Sequence, residues 1–261
     1  MAQQVHDKLP GFFKEALLEK KKLAAQKFPK RQAAAFLDFD GSLIEGDITE
    51  GMKSGQNPYM GLLDLAILGG HIPEFSGPEG LLAFWKKYEG GFPSLEEAYM
   101  WAAQLVANLS TKEDHNLREF VSHHLCELVD KYLFSFARDL LDFCNEEDII
   151  PIVVSASPHY FVKELSRCLP IAPENLFGLN GRMQNGKLVD EIAHDGEGKE
   201  LRVKDLCAKR PIYPLLGMGN KWRWDGMMIR RACEDGGVGL LVNEGGPSNY
   251  THPSLFYFKI C

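Results

Sequence analysis

The sequence predicts an α/β protein in which a doubly wound parallel sheet is interrupted by an inserted helical unit. Four short runs are apolar at almost every residue: 33–37, 149–154, 212–216 and 238–242. Such runs are typical of strands buried on both faces, and the helical segments between them are typical of a doubly wound sheet. Residues 48 to 147 instead show helical patterns without a clear buried strand.

The composition is that of a folded protein and excludes several functional classes. The chain has 261 residues, of which 45% are hydrophobic and 25% charged, and its formal net charge of −7 disfavours binding to nucleic acid. No apolar run is long enough to span a membrane, and the first ten residues lack the apolar run of a secretory segment. The six cysteines form no Cys-x-x-Cys pair, which argues against a zinc site or a disulfide framework and favours a reducing, cytoplasmic location.

The first thirty residues form a helical extension to the sheet. Phe13, Leu17, Ala24 and Phe28 recur at roughly helical spacing, so residues 11 to 28 are predicted to form an amphipathic helix. Many lysines lie in the same segment. We interpret it as a helix docked on the core with its cationic face in solvent, in preference to a membrane anchor.

The first buried strand ends in a polar loop that contains Asp38, Asp40 and Gly41. Ligands of such sheets bind beyond the carboxyl ends of the strands, so these residues are candidates for a site. The helical insertion follows this loop, which gives a core of residues 1–47 and 146–261 and a cap of residues 48–145. We expect the cap to lie over the strand ends as a lid.

Two helices can be placed inside the cap. Ser94 and Glu97 have the spacing of a capping box, which predicts that a helix begins there. A second helical stretch is predicted from Thr111 toward Asp130. The neighbouring His123 and His124 lie on this second helix, where adjacent side chains diverge by roughly 100°, so we expect surface histidines without a shared metal.

Asp38 and Asp40 place two carboxylates on alternate residues at the end of the first strand. Such a pair can share a divalent cation, or divide the roles of nucleophile and proton-transfer group. An Asp-x-Asp sequence beside glycine is also common in ordinary turns. The pair alone therefore leaves its function open.

The order of motifs along the chain resembles the haloacid-dehalogenase superfamily, and most closely its phosphoserine-phosphatase-like branch. The motifs are Asp38-Phe39-Asp40-Gly41-Ser42-Leu43, Ile152-Val153-Val154-Ser155-Ala156-Ser157, Gly196-Glu197-Gly198-Lys199 and a glycine loop with an acid. The resemblance covers most of residues 33 to 243, including 175–178 and 186–188, which are similar to the hairpin before the lysine of that branch. It implies a Rossmannoid core with a cap, and Mg²⁺-dependent hydrolysis of phosphate monoesters through an aspartyl phosphate.

The resemblance also implies a role for each catalytic residue. Asp38 would attack phosphorus, and Asp40 would protonate the leaving group and then activate water. Ser155 would hold the phosphoryl group and Lys199 would supply a fixed positive charge. Ser155 has an alternative interpretation as an ordinary strand-end hydroxyl, and Lys204 lies close enough in sequence to compete with Lys199.

Further residues are implied to contact the substrate and to hold the metal ion. Gly41 and Ala156 would line the substrate site, and Asp47 stands where phosphoserine phosphatases have an acid that contacts the substrate amine. Asp47 also has capping-box-like spacing with Glu50, which is a purely structural alternative. The Mg²⁺ ligands would be Asp38, Asp40 and Asp225.

The fourth motif departs from the family pattern at Met218, which stands where the family has an acidic metal ligand. A thioether is a poor ligand for Mg²⁺, which prefers oxygen. We expect Asp225 to reach back through a loop lengthened by about three residues, with Asn220 as a possible helper. Trp222 and Trp224 lie in the same segment and are either substrate contacts or buried anchors.

The sequence therefore predicts a Mg²⁺-dependent phosphatase acting on a small phosphorylated metabolite, such as phosphoserine or another amine-bearing ester. Two alternatives stay open. The first is a non-catalytic phospholigand-binding or scaffolding protein that has lost its metal at Met218. The second is a phosphotransferase, which shares every motif. The sequence does not define the oligomeric state or the physiological substrate.

Overall fold

The structure is a computed structural model that describes seven stretches of the chain. These are residues 5–53, 58–107, 111–179, 182–184, 187–189, 196–245 and 249–260. The chain divides into two compact units: unit 1 comprises 1–45, 133–154 and 192–261, and unit 2 comprises 46–132 and 155–191. The predicted division into a core and a cap, with boundaries near residues 48 and 145, stays a prediction.

The described elements include a strand at each of the four predicted apolar runs and five successive α-helices between the first and second of these runs. The strands are β1 (Val5–His6), β2 (Gln32–Leu37), β3 (Gly51–Met52), β4 (Tyr59–Met60), β5 (Ile150–Pro158), β6 (Leu176–Leu179), β7 (Arg182–Gln184), β8 (Lys187–Val189), β9 (Ile212–Gly219), β10 (Val238–Val242) and β11 (Leu255–Ile260). The α-helices are α1 (Gly11–Lys27), α2 (Leu62–Leu68), α3 (Gly77–Gly90), α4 (Leu95–Ala107), α5 (Thr111–Tyr132), α6 (Ser135–Glu146), α7 (His159–Lys163), α8 (Gly196–Lys209) and α9 (Trp222–Glu234).

Seven strands form the main sheet, in the order β1-β11-β10-β9-β2-β5-β6. The β2 strand is central and pairs in parallel with β5 on one side and β9 on the other. The apolar runs that the sequence predicts as strands are all strands of this sheet, and the predicted α/β fold is confirmed. Because the strands run in parallel, β2 and β9 bring their carboxyl ends to the same edge.

The helix α1 belongs to unit 1 and packs on β11 of the same unit, in line with the sequence-based interpretation of a helix docked on the core. The side chains of Phe13 and Leu17 are buried, and the Phe13 ring contacts the rings of Phe256 and Phe258 on β11. The Lys14 ammonium pairs with an Asp139 carboxylate oxygen at 3.2 Å. Apolar packing on β11 therefore accounts for the apolar face of α1. None of the described helices is both long enough and apolar enough to cross a bilayer.

In its described residues, unit 2 is built largely from α2 to α5 and also contains short strands, of which β3 and β4 were not predicted and β8 overlaps the hairpin that the resemblance implies. The strands β3 and β4 form one antiparallel pair, and β7 and β8 form another. Aromatic side chains fill its interior, where the Phe84 ring stacks with the rings of Tyr88 and Trp101. The Glu97 amide donates to Ser94 Oγ at 3.2 Å, so the predicted cap of α4 is present. Gly186, part of the predicted hairpin, lies outside the described residues.

Candidate active site

Asp38 directly follows the central strand β2. Its backbone N–H donates to the carbonyl of Met218 on β9 at 2.9 Å, which extends the pairing of these two strands by one residue. The Asp38 side chain is buried, and its Oδ2 accepts a 2.6 Å hydrogen bond from the Ser42 hydroxyl. The carboxylate is thus held in one orientation at the carboxyl end of the sheet.

Lys199 brings a positive charge to this carboxylate from the first turn of α8. Its Nζ lies 2.6 Å from Asp38 Oδ1 and 2.6 Å from Asp225 Oδ1, and the side chain is only 2% exposed. Lys204, the competing lysine in the sequence, pairs with Glu200 at 2.7 Å and is 44% exposed. The structure therefore brings together Asp38, Lys199 and Asp225, three residues that the sequence assigned to one site.

Asp225 lies in the first turn of α9, and its carboxylate is held by donors on both oxygens. Oδ1 accepts from Lys199, and Oδ2 accepts from the backbone amides of Asn220 and Lys221 at 3.0 Å each. Gly219 makes room for this arrangement, because a Cβ at that position would lie 2.3 Å from the Asp225 Cγ. Any residue larger than glycine at the end of β9 would therefore collide with the Asp225 side chain and force it to move.

The connection to Asp225 differs from the one that the sequence predicted. Instead of a loop lengthened by about three residues, α9 begins at Trp222, and Asp225 is carried by its first turn. Trp222 stacks on the ring of Tyr250 and packs against the buried cluster around Ile229 and Leu241. Of the two interpretations of Trp222, the buried anchor is therefore the one that its contacts support.

The buried charges of the site do not cancel. Two carboxylates, Asp38 and Asp225, share one ammonium, Lys199. Burial and the nearby Asp225 charge raise the pKa of Asp38 to about 7, although Lys199 and Ser42 act in the opposite direction. Burial alone would lower the pKa of Lys199, but the charges of Asp225 and Asp38 outweigh it and raise that pKa. The ammonium is therefore permanently charged, whereas Asp38 titrates near neutral pH in the absence of another cation.

Gly41 and Asp40 lie in the short loop after Asp38. Gly41 has a φ of +70°, and a Cβ there would come within 2.0 Å of the Asn220 Nδ2, so glycine is required for both reasons. This contact places the Asn220 side chain, which follows β9, against the loop that follows β2. The backbone of Asp40 forms an isolated bridge with Ile44, which closes the loop.

Ser155 and Ala156 lie on β5, shortly after Val153, which pairs with Leu37 of β2. Ser155 is fully buried, and its Oγ accepts from the amide of Ser157 at 2.9 Å. The Thr49 hydroxyl in turn donates to the Ser157 Oγ at 2.9 Å. The β5 strand continues to Pro158, and the five-residue α7 follows it.

Asp47 has the hydrogen bonds of a turn. Its Oδ1 accepts from the amides of Thr49 and Glu50 at 2.7 and 2.8 Å. The Gly51 amide donates to the Asp47 carbonyl at 2.8 Å, which closes the turn before β3. Residues 48–50 form a turn that leads directly into β3, so the capping box suggested by the sequence is replaced by a side-chain-stabilised turn. A contact between Asp47 and a substrate amine stays a prediction.

Sequence reasoning missed Ser42 and Gly219, which hold Asp38 and make room for Asp225. Ser42 is the hydroxyl residue four positions after Asp38, a spacing at which a loop can fold back on the carboxylate. Gly219 is one of two glycines that flank Met218. Both residues can be seen in the sequence, but their roles depend on contacts with Asp38 and Asp225 that form only in the folded chain.

Comparisons with known proteins show similarity in fold but not in sequence. No protein-family model matches the chain, and no curated protein matches it. A protein with unknown function from Bordetella pertussis Tohama I is 15% identical, with a TM-score of 0.60 over 82% of this chain and 92% of that one. DsGPDH of Dunaliella salina is 13% identical, with a TM-score of 0.50 over 88% of this chain. The match spans 33% of the length of DsGPDH.

A substrate-bound phosphoserine phosphatase also matches, at 14% identity over 82% of this chain and 87% of that one. Its TM-score of 0.46 is too low to support an argument about function. At these identities a likeness shows a common fold, and activity has to be argued from the site. The comparisons therefore show a shared α/β fold, which is the fold class that the sequence predicts.

Proposed function

We propose that this protein hydrolyses small phosphate monoesters, with Asp38 as the nucleophile that becomes transiently phosphorylated. The observation that carries the proposal is the buried arrangement in which Lys199 bridges Asp38 and Asp225 at 2.6 Å. A carboxylate oriented by a fixed ammonium is suited to phosphoryl transfer, where catalysis depends on positioning and on stabilising negative charge.

In the proposed reaction, an oxygen of Asp38 attacks phosphorus and the ester oxygen leaves with a proton. Asp40, two residues further on, donates that proton and later takes one from the water that hydrolyses the aspartyl phosphate. Lys199 lowers the repulsion between the Asp38 carboxylate and the phosphoryl oxygens. Because Lys199 is held by Asp225, its ammonium needs little reorganisation during the reaction.

Ser155, Gly41 and Ala156 are proposed to contact the phosphoryl group or the ester. The Ser155 hydroxyl is positioned by the Ser157 amide, and the Ser157 hydroxyl by Thr49. Asp47 is proposed to contact a cationic group of the substrate. An amine-bearing ester such as phosphoserine fits this assignment, and a panel of phosphorylated metabolites is the direct way to test it.

Mg²⁺ is the metal that we propose for this site. The available donors are carboxylate oxygens, the ligands that Mg²⁺ prefers, and Asp38 and Asp225 leave the buried site with an excess of negative charge. Asp38, Asp40 and Asp225 would hold the ion, which when bound would offset the negative charge of the phosphoryl group. Both oxygens of Asp38 and both oxygens of Asp225 already accept hydrogen bonds, so an ion held here would share these carboxylates with Lys199.

The test is hydrolysis of an aryl phosphate by the full chain with Mg²⁺, with a chelator, and after Asp38→Asn. We expect turnover only with Mg²⁺ and an intact Asp38, and a loss of at least about a hundredfold in kcat for the variant. The control is Asp205→Asn, which removes a carboxylate that pairs with Lys209 on the outside of α8. Undiminished turnover by the Asp38→Asn variant would refute the assigned nucleophile.

A second function, binding of a phosphorylated ligand without turnover, is favoured by one observation. Met218 is buried in β9 at the position where the family resemblance implies an acidic metal ligand. Isothermal calorimetry with inorganic phosphate separates the two functions. Binding that is independent of Mg²⁺, together with no hydrolysis across the ester panel, would favour a binding protein.

A further inference from the structure

A cluster of two histidines and a glutamate lies on α5 in unit 2. His123 Nε2 lies 3.5 Å from Glu127 Oε1, and His124 Nδ1 lies 3.2 Å from Glu127 Oε2. One nitrogen from each histidine and one oxygen from the glutamate all lie within 4.8 Å of one another. From these contacts we propose that His123, His124 and Glu127 bind a transition-metal ion, with zinc as the favoured ion.

The helical spacing explains how the three side chains meet. Glu127 lies four residues after His123 and three after His124, and both spacings place side chains on adjoining parts of a helix surface. The two imidazoles start roughly 100° apart around the helix, but their ring centroids are 5.1 Å apart. The sequence-based expectation of histidines without a shared metal considered only the divergence of adjacent side chains and left out Glu127, which contacts both of them.

The distances are close to those that a zinc ion requires. Zinc in proteins is tetrahedral with ligand distances of about 2.1 Å, so its ligand atoms lie about 3.4 Å from each other. Both contacts of Glu127 with the histidines, at 3.5 and 3.2 Å, already have this spacing. The His123 side chain is 69% exposed, so its ring can turn to close the remaining gap without disturbing the interior.

The three donor atoms determine which metal ions the cluster can bind. Two imidazole nitrogens and one carboxylate oxygen suit zinc, nickel or copper, whereas Mg²⁺ prefers sites made of oxygen alone. Three protein ligands also leave a position for water or for a bound molecule, as in zinc sites that are open to solvent. The site is therefore distinct in chemistry from the proposed Mg²⁺ site at Asp38.

A pocket adjoins the cluster within the same unit. Its volume is about 610 Å³, and His124 and Glu127 are part of its lining, together with Tyr59, Lys131 and Tyr132. The rings of Tyr59 and Tyr132 lie 4.3 Å apart on this wall. An ion at the cluster would thus lie at the edge of a space large enough for a small ligand.

The experiment is titration of the metal-free full chain with Zn²⁺ by calorimetry, together with the visible spectrum after Co²⁺ is added. We expect one ion per chain, and a loss of affinity of at least about tenfold in each of His123→Ala, His124→Ala and Glu127→Gln. The Co²⁺ bands of the wild type should weaken in the same variants. Because these side chains lie at the surface, the melting temperatures of the metal-free variants should match that of the wild type.

Two controls make the outcome specific. His115→Ala removes an exposed histidine elsewhere on α5 and should leave Zn²⁺ binding unchanged. Asp38→Asn should also leave it unchanged, which separates this site from the proposed catalytic one. Absence of saturable one-to-one binding, or equal affinity in the wild type and the three ligand variants, would overturn the proposal.

Discussion

Lys199 reduces the repulsion between two neighbouring buried carboxylates, because its ammonium pairs with both of them. Replacing it with methionine removes the ammonium that, among the described residues, pairs with both Asp38 and Asp225. We expect Lys199→Met to lower the free energy of unfolding by about 3–5 kcal/mol at pH 8, measured by urea unfolding in metal-free buffer. The loss should be smaller at pH 5, because Asp38, with its pKa near 7, is then protonated and neutral.

The matched control for this prediction is Lys204→Met on the same helix. Lys204 is exposed and pairs only with Glu200 in the described contacts, so its loss should change the free energy of unfolding by less than about 0.5 kcal/mol. Equal effects of the two substitutions would show that Lys199 is not a buried ion-pair partner.

Asp38→Asn should stabilise the metal-free protein at pH 8. Burial and Asp225 raise the pKa of Asp38 from 3.8 to about 7, so its ionisation in the folded state costs stability that the unfolded state does not lose. This cost grows as the pH rises from about 4 to about 7 and is fully present above that range. Asparagine carries no charge and avoids it.

The measurement is the difference in the free energy of unfolding between variant and wild type from pH 4 to pH 8. The free energy of unfolding should be larger for the variant than for the wild type at pH 8, and this difference should shrink toward zero at pH 4. A difference that does not change with pH would contradict the raised pKa of Asp38.

At the residue scale, the sequence predicted the acids and the lysine of the site better than the residues that hold them in position. The order of Asp38, Lys199 and Asp225 along the chain was enough to assign them to one site. The hydrogen bond from Ser42, the steric need for Gly219 and the contact between Asn220 and Gly41 depend on distances between loops. No local pattern encodes such distances, so these residues emerged only from the structure.

At the scale of elements, the junction between β9 and α9 is where glycine is required. Gly219→Ala would place a Cβ 2.3 to 2.4 Å from atoms of the Asp225 side chain, which must then move away from Lys199. We expect lower stability by about 1–3 kcal/mol and a loss of any phosphatase activity, measured by thermal unfolding and by aryl phosphate hydrolysis.

Gly245→Ala is the control, because a Cβ at Gly245 would meet nothing within 4 Å. It should change neither stability nor activity appreciably. If Gly219→Ala were equally harmless, Asp225 could not be held as the structure shows.

Element types were predictable where the apolar pattern was strong. The β2, β9 and β10 strands are buried at almost every residue, and runs of this kind need no tertiary information to be recognised. By contrast, β11 mixes buried and half-exposed residues, and β3 and β4 have two residues each. The start of α9 was missed because Trp222 and Trp224 were interpreted as loop residues, although Trp222 is half-buried and packs against the cluster around Ile229 and Leu241.

At the scale of the whole molecule, backbone amides should be best protected from hydrogen exchange in the centre of the sheet. The β2 strand lies between β5 and β9, and its residues from Ala33 onward are buried. We expect the amides of β2 and β9 to exchange with deuterium only through global unfolding, whereas those of the two-residue edge strand β1 exchange faster. Hydrogen exchange followed by mass spectrometry checks this, and rapid exchange in β2 would contradict the assigned order.

Only the class of the whole molecule could be predicted, because strand order and the pairing of distant segments are set by packing. The sequence predicted a parallel sheet, but not that β11 would extend it beyond β10 or that β1 would complete that edge. The predicted cap boundaries followed from where helices replace strands, which is a coarser criterion than contact within a unit.

The position of β2 in the sheet also has a consequence for biosynthesis. Both neighbours of this strand, β5 and β9, are encoded far downstream of it and leave the ribosome later. The lysine that neutralises Asp38 follows it by 161 positions. Until those segments are translated, the apolar strand lacks both of its neighbours and Asp38 lacks Lys199, so a nascent chain that stops short of β9 carries Asp38 without the strand that pairs beside it.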